Sequence, residues 1–145
     1  MEYIAGVVDI HKCFDQIHRG LLYRLATVAG IPTRVLTAYR HFHEHVQAYN
    51  SIAGALGEPY TKPASIPQGC PLSMALIALI MHPWTRMMQA MDATPRILAD
   101  DIPLFATGAE ATNDFIEAFN ATHRYLLDLG ARIAPLRGAS LVAVA

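Results

Sequence analysis

An α+β domain, with helices packed on one face of a mainly antiparallel sheet, is the fold this sequence predicts. Two patterns predict it. Short β-branched apolar runs alternate with longer segments of helical period, and strand-like runs come in pairs around glycine or acidic turns, as hairpins do. Composition agrees: 145 residues that are 53% hydrophobic and 16% charged can fill one core, and they are not the makings of a disordered tail.

The elements follow in order. Ile4 to Ile10 is an apolar, β-branched run that reads as a buried strand. Ile17, Leu21, Leu25 and Val28 recur at helical spacing, and Gly30 is a natural stop. Pro32 suits the first turn of a second helix reaching about His41. His45 to Ile52 and Tyr60 to Ile66 flank Gly54 and Gly57 and predict a hairpin. The apolar segment after Gly69 predicts a buried helix, with a bend or restart at Pro83 and Trp84 as a packing anchor. Arg96 to Ala99 and Ile102 to Ala106 predict a second hairpin with Asp100 and Asp101 at its tip. Thr112 is placed to cap a helix carrying Phe115, Phe119, Leu126 and Leu129, closed by Gly130. Arg132 to Val144 predicts one or two closing strands.

Three segments carry the chemistry: Asp9-Ile10-His11-Lys12-Cys13-Phe14-Asp15 at the end of the first strand, Pro67-Gln68-Gly69-Cys70-Pro71-Leu72-Ser73 at the mouth of the long helix, and Leu98-Ala99-Asp100-Asp101 at the hairpin tip. Phosphoryl transfer to a growing strand needs a deprotonated 3′-hydroxyl and a neutralised triphosphate, which two divalent ions about 4 Å apart supply. Magnesium favours carboxylates, water and substrate phosphates. A carboxylate ending a strand beside one at a hairpin tip makes such a half-open site. Asp9 and Asp100 fit that role, with Asp101 a third, more peripheral acid. Gln68-Gly69 puts pliable backbone and an amide ahead of a helix N-terminus, where anionic groups are favoured. Phe14 can stand under a sugar and exclude a 2′-hydroxyl by shape.

Asp-x-x-x-x-Phe-Asp, then Pro-Gln-Gly-x-Pro-Leu-Ser, then Ala-Asp-Asp resembles motifs A, B and C of reverse transcriptases, in order. Gly130 to Pro135 through Arg137 resembles a degenerate motif D. The closest likeness in pattern is to the palms of non-LTR retroelement enzymes. The resemblance implies that residues 1–145 are a polymerase palm, with fingers and thumb lying outside it. It implies RNA-directed DNA synthesis: RNA template, DNA primer, deoxynucleoside triphosphates, and two magnesium ions with manganese as the alternative. Asp9, Asp100 and Asp101 become metal ligands and catalytic acids, joined by the Ile10 carbonyl. Phe14 becomes the sugar gate, and Gln68, Gly69 and Arg137 the nucleotide and template contacts.

Departures are specific. Leu98 stands where the family usually has an aromatic residue. Pro103 removes a ladder donor, so its strand is expected to be an edge or bulged. Arg137 replaces a lysine, and arginine is a poor acid.

Other features bound the function. Lys and Arg total 11 against 12 Asp and Glu, without a basic run, so most of the grip on nucleic acid is expected from other segments or a partner chain covering exposed palm surface. Cys13 and Cys70 lack zinc-site spacing and read as buried fillers in a reducing, intracellular setting; nucleus and cytoplasm are not distinguished. No apolar run is long enough for a membrane span. Asp15 is expected to cap the following helix. His41, His43 and His45 would share a face on a strand and so offer a zinc site; solvated positions at a helix–strand junction are the plainer reading. A nucleotide cyclase would show a Gly-Gly-acidic hairpin, which Leu98 to Asp101 lacks. The alternative to an active core is a truncated retroelement remnant that folds or associates without polymerase activity.

Overall fold

In strand β1 (Tyr3–Asp9), Ile4, Gly6 and Val8 are buried, while Tyr3, Ala5, Val7 and Asp9 face outward. The period of two gives one packed and one open face. The structure is a computed structural model that describes residues 3–62, 64–67, 69–91, 93–98, 101–131 and 139–144, with Phe14 and 139–144 described by backbone alone. After β1 come the short helix α1 (Cys13–Gln16), then α2 (Arg19–Val28) and α3 (Thr33–His45). A small hairpin, β2 (Ser51–Ile52) and β3 (Ala55–Leu56), precedes the long helix α4 (Ser73–Gln89). Strands β4 (Ala93–Pro95) and β5 (Asp101–Thr107), helix α5 (Ala111–Asp128) and strand β6 (Ala139–Val144) complete the order.

The main sheet runs β4-β5-β1-β6, each neighbour antiparallel. Helices α4 and α5 cover its packed face, α2 packs on α4, and α3 on α2. This is the expected α+β palm architecture. The core joins Val8, Ile102 and Leu104 to Trp84, Met88, Phe115 and Leu126. Gly6 makes room for α5: a Cβ there would stand 2.6 Å from Phe115 Cζ.

Several expectations are corrected. The long helix neither stops nor restarts at Pro83, which lies inside a continuous α4. Proline cannot donate to its own turn and crowds the carbonyl four residues back. One rung beyond the Leu79 carbonyl that Pro83 leaves without its donor, the Tyr125 hydroxyl donates to the Ile80 carbonyl and lies against the Trp84 N–H. Strand β5 is flanked on both sides, so Pro103 is not at a sheet edge. Its carbonyl accepts from Arg96 N–H at 3.0 Å, so the missing donor faces the β4 flank, just beyond that strand's last residue Pro95. The ladder to β1 is thereby left whole. The strand before the tip is Ala93–Pro95, three residues upstream of its expected start.

Helix α3 runs on to His45, so the three histidines are helical. His41 and His45 stack outside, while His43 is 2% exposed and turned inward. A period of 3.6 separates what a period of two would have aligned, and the three do not converge on a metal. Asp15 lies within α1 and faces Lys62 at 3.6 Å; neither it nor Thr112 caps the helix predicted for it. The β2–β3 hairpin is confirmed in shortened form. Ala53 and Gly54 both have positive φ (50° and 83°), the turn that matches strand twist in two-residue loops.

Candidate active site

The end of β1 and the start of β5 lie side by side, with Asp9 directly opposite Asp101. Period-two alternation puts both carboxylates on the open face, where Tyr3 and Phe105 also meet, ring centroids 6.3 Å apart. Leu98 and Asp101 exchange backbone hydrogen bonds of 2.9 and 3.1 Å, so the polar backbone of Asp101 points toward β4 and away from β1. Asp9 and Asp101 are therefore a non-hydrogen-bonded pair, the closer kind, with Cα atoms about 4.5 Å apart. Like charges so placed repel each other, and among the described residues neither makes an ion pair. Two facing carboxylates on a water-open surface suit a hard divalent cation. Among the described residues no third His, Cys, Asp or Glu joins them as a ligand cluster. Asp100, Gln68 and Arg137 lie outside the described residues.

Just past Asp9 the chain turns sharply. Ile10 is buried and its carbonyl accepts from Cys13 N–H at 3.2 Å. Lys12, with φ 48° and ψ 45°, sits in the left-handed region that side chains rarely adopt. That turn starts α1, which holds Phe14; the Phe14 side chain lies outside the described residues. Gly69 has φ 86° and lies exposed in the turns that lead to α4. The space around it is open, so glycine is required there by backbone conformation and not by crowding. Helix α4 begins only at Ser73, so Gly69 stands in the approach to the helix, not in its first turn.

One residue that sequence reasoning passed over organises this approach. Arg19, 8% exposed, donates to three main-chain carbonyls: His43 at 2.9 Å, Ser65 at 3.0 Å and Ala64 at 3.3 Å. Ser65, at φ 101°, returns its N–H to the Ile17 carbonyl at 3.1 Å. The guanidinium thus ties the start of α2, the end of α3 and the segment that enters Pro67-Gln68-Gly69. A hint was present in sequence: a cation in the first turn of a helix opposes the helix dipole and needs another reason to be there. Nearby, burial and then the Cys70 thiol push the Tyr39 hydroxyl to a higher pKa. Burial, followed by the charge of Arg19, pushes the His43 imidazole to a lower one.

An antiparallel sheet open on one face, with paired acids at the junction of its two central strands, defines the palm class of polymerase folds. The sequence matches the family described as Reverse transcriptase (RNA-dependent DNA polymerase) over residues 2–136, and the chain belongs to that family. The fold is similar to that of apo telomerase from Candida tropicalis truncated from its C-terminal domain, with a TM-score of 0.72 at 12% identity. The match covers 99% of this chain and 31% of that one, so the chain spans under a third of that telomerase structure. Comparison with curated protein sequences gives no match.

Proposed function

We propose that this chain is the palm of a non-LTR-type reverse transcriptase, a fragment of a larger retroelement protein that copies RNA into DNA. The observation that carries the reading is the register placing Asp9 against Asp101 on the sheet face left free by the helices. Two magnesium ions, or manganese in their place, held by Asp9, Asp100, Asp101 and the Ile10 carbonyl, would neutralise the triphosphate and favour ionisation of the primer hydroxyl. The chain's own residues do the rest. The turn at Lys12 fixes Phe14 five residues beyond Asp9, where a ring selects deoxyribose by shape. Gln68 and Gly69 present an amide and pliable backbone to nucleotide and template. Arg137 stays charged and so stabilises phosphate charge without donating a proton. Fingers and thumb come from adjoining segments or a partner chain.

The test is primer extension on an RNA template with magnesium, using the chain joined to its flanking coding segments. Asp9→Asn, Asp100→Asn and Asp101→Asn should each lower extension by at least about a hundredfold. Undiminished extension by any of them would sink that residue's assignment. A second reading, the inactive remnant, rests on the hairpin residues Ile52 and Leu56, 78% and 71% exposed, which suit contact with another protein surface. Absence of extension by the wild type in this assay, with folding intact, decides for it.

A further inference from the structure

The open face of the sheet holds one charge that the paired acids do not account for. Arg96 N–H donates to the Pro103 carbonyl at 3.0 Å, which continues the β4–β5 register past Pro95 and sets Arg96 opposite Pro103. Pro103 lies opposite Val7, and two residues further along, Leu98, Asp101 and Asp9 form the last row of the sheet. Side chains alternate between faces along each strand. Ile97 packs against the core, so Arg96 and Leu98 on either side of it share the open face with Val7, Asp9 and Asp101. Arg96 is exposed and, among the described residues, makes no ion pair. Its row lies about 7 Å from the row of acids, a gap an arginine side chain can bridge. The two signs of charge nonetheless stay apart, which leaves the guanidinium open to an anion from outside.

The acids sit at one end of the sheet: β1 stops at Asp9 and β5 starts at Asp101. From them the strands run on in one direction only, past Arg96 and Pro103 to Phe105 and Tyr3. In the other direction lie the turn at Lys12 and helix α1, whose Asp15 shares a hollow with Pro67 at the entry to Gln68-Gly69. The residues proposed above to meet the incoming nucleotide, Phe14, Gln68 and Gly69, belong to that second side. A primer whose 3′ end rests at the acids therefore arrives over the first side, across an apolar floor whose cation stands in the row next to the acids. Arginine is well matched to phosphate oxygens, and such contacts fix the position of a strand without reading its sequence. We propose that Arg96 binds a backbone phosphate of the primer strand close behind its 3′ end and so holds that terminus over the acids. The inference rests on the polymerase reading and deepens it by naming a residue that grips the primer.

The experiment is fluorescence anisotropy of a labelled RNA template–DNA primer duplex with the chain joined to its flanking coding segments, in EDTA, over a series of salt concentrations. Arg96→Gln should weaken binding at low salt by about tenfold and flatten the slope of log K against log salt by about 0.9, the share of one phosphate on a duplex. Arg96→Lys keeps the charge and should restore most of both. Arg86→Gln removes a charge from an exposed position on α4, on the covered side of the sheet, and should change neither. A single methylphosphonate, neutral where the phosphate is charged, is then placed at each of the last few primer linkages in turn. At one linkage it should weaken the wild type by about tenfold and leave Arg96→Gln unchanged. Losses that add at every linkage, Arg96→Gln binding like the wild type, equal loss in Arg86→Gln, or no binding by the wild type would overturn the contact. Primer extension with magnesium, run in parallel, separates the two claims. Extension by the wild type with no coupled linkage removes Arg96 alone, whereas a coupled linkage without extension keeps the contact and removes the polymerase activity.

Discussion

On the α4–α5 side, the Trp84 indole N–H donates to the Thr122 hydroxyl at 2.9 Å, which donates in turn to the Ala118 carbonyl at 2.7 Å. Tyr125 caps the carbonyl of Ile80 where Pro83 disturbs the helix. Across the core, on the α2–α3 side, a nearly buried arginine is met by carbonyl oxygens alone, and both ring nitrogens of His43 find no partner among the described residues. Both regions carry buried polarity, which is costly unless satisfied. The first spends it on fixing two helices to one another and to the sheet. The second carries an uncompensated charge and idle nitrogens, next to the segment proposed to meet nucleotide and template. The contrast is one of how buried polarity is met: the α4–α5 side closes its hydrogen bonds between side chains of the two helices, whereas the α2–α3 side spends a charged group on main-chain carbonyls and leaves the His43 nitrogens unmatched among the described residues.

The comparison breaks most readily at Trp84. It is fully buried at the α4–α5 contact, so Trp84→Ala should lower stability by about 3–5 kcal/mol, read from the urea unfolding midpoint. A loss below about 1 kcal/mol would mean that the α4–α5 side is not the scaffold. Arg19 is the matching position opposite. Arg19→Met leaves three main-chain carbonyls without a donor and should cost about 2–3 kcal/mol. Unlike the tryptophan change, it should speed amide hydrogen exchange chiefly in 61–70 while α4 and α5 stay protected. Uniform acceleration across the domain would show Arg19 to be ordinary scaffold.

Much of this was legible in sequence, and the failures share a cause. The β1 strand, the α2, α4 and α5 helices, both hairpins and the placing of Asp9 beside Asp101 follow from periodicity and turn residues, which are local. Which acid faces Asp9 follows from register: the described partner is Asp101, expected to be the more peripheral of the two. Pro103 was misjudged because a missing donor matters only on the flank toward which it points, and that flank was not knowable before β4 and β1 were assigned to opposite sides of β5. The three histidines were misjudged because a helix that continues four residues past its predicted end turns a shared face into opposed ones. Arg19 escaped notice because its meaning lies in contacts more than twenty residues apart along the chain, to His43, Ala64 and Ser65.

Two smaller effects sharpen the contrast. Thr122→Val keeps the shape of the side chain but leaves the Trp84 N–H unsatisfied, and should cost about 1–2 kcal/mol in the same urea measurement. His43→Phe should do the reverse at pH 7.5, changing stability by less than about 1 kcal/mol, because it removes nitrogens that satisfy nothing.

The pH response of His43 gives the finest test. Its folded pKa lies below the ordinary 6.5, from burial first and Arg19 second. The unfolded chain therefore takes up the proton before the folded one does. The stability from the neutral ring is present above pH 6.5 and is lost as pH falls through the folded value. The wild type should lose urea resistance between pH 7.5 and 5.5 by more than His43→Phe does, the difference isolating this one imidazole. If the two fall in parallel, or if His43→Phe is as damaging at pH 7.5 as Thr122→Val, then the ring nitrogens are bonded in solution, to buried water. In that case the α2–α3 side is as fully satisfied as its counterpart, and its arginine is best understood as part of the same scaffold.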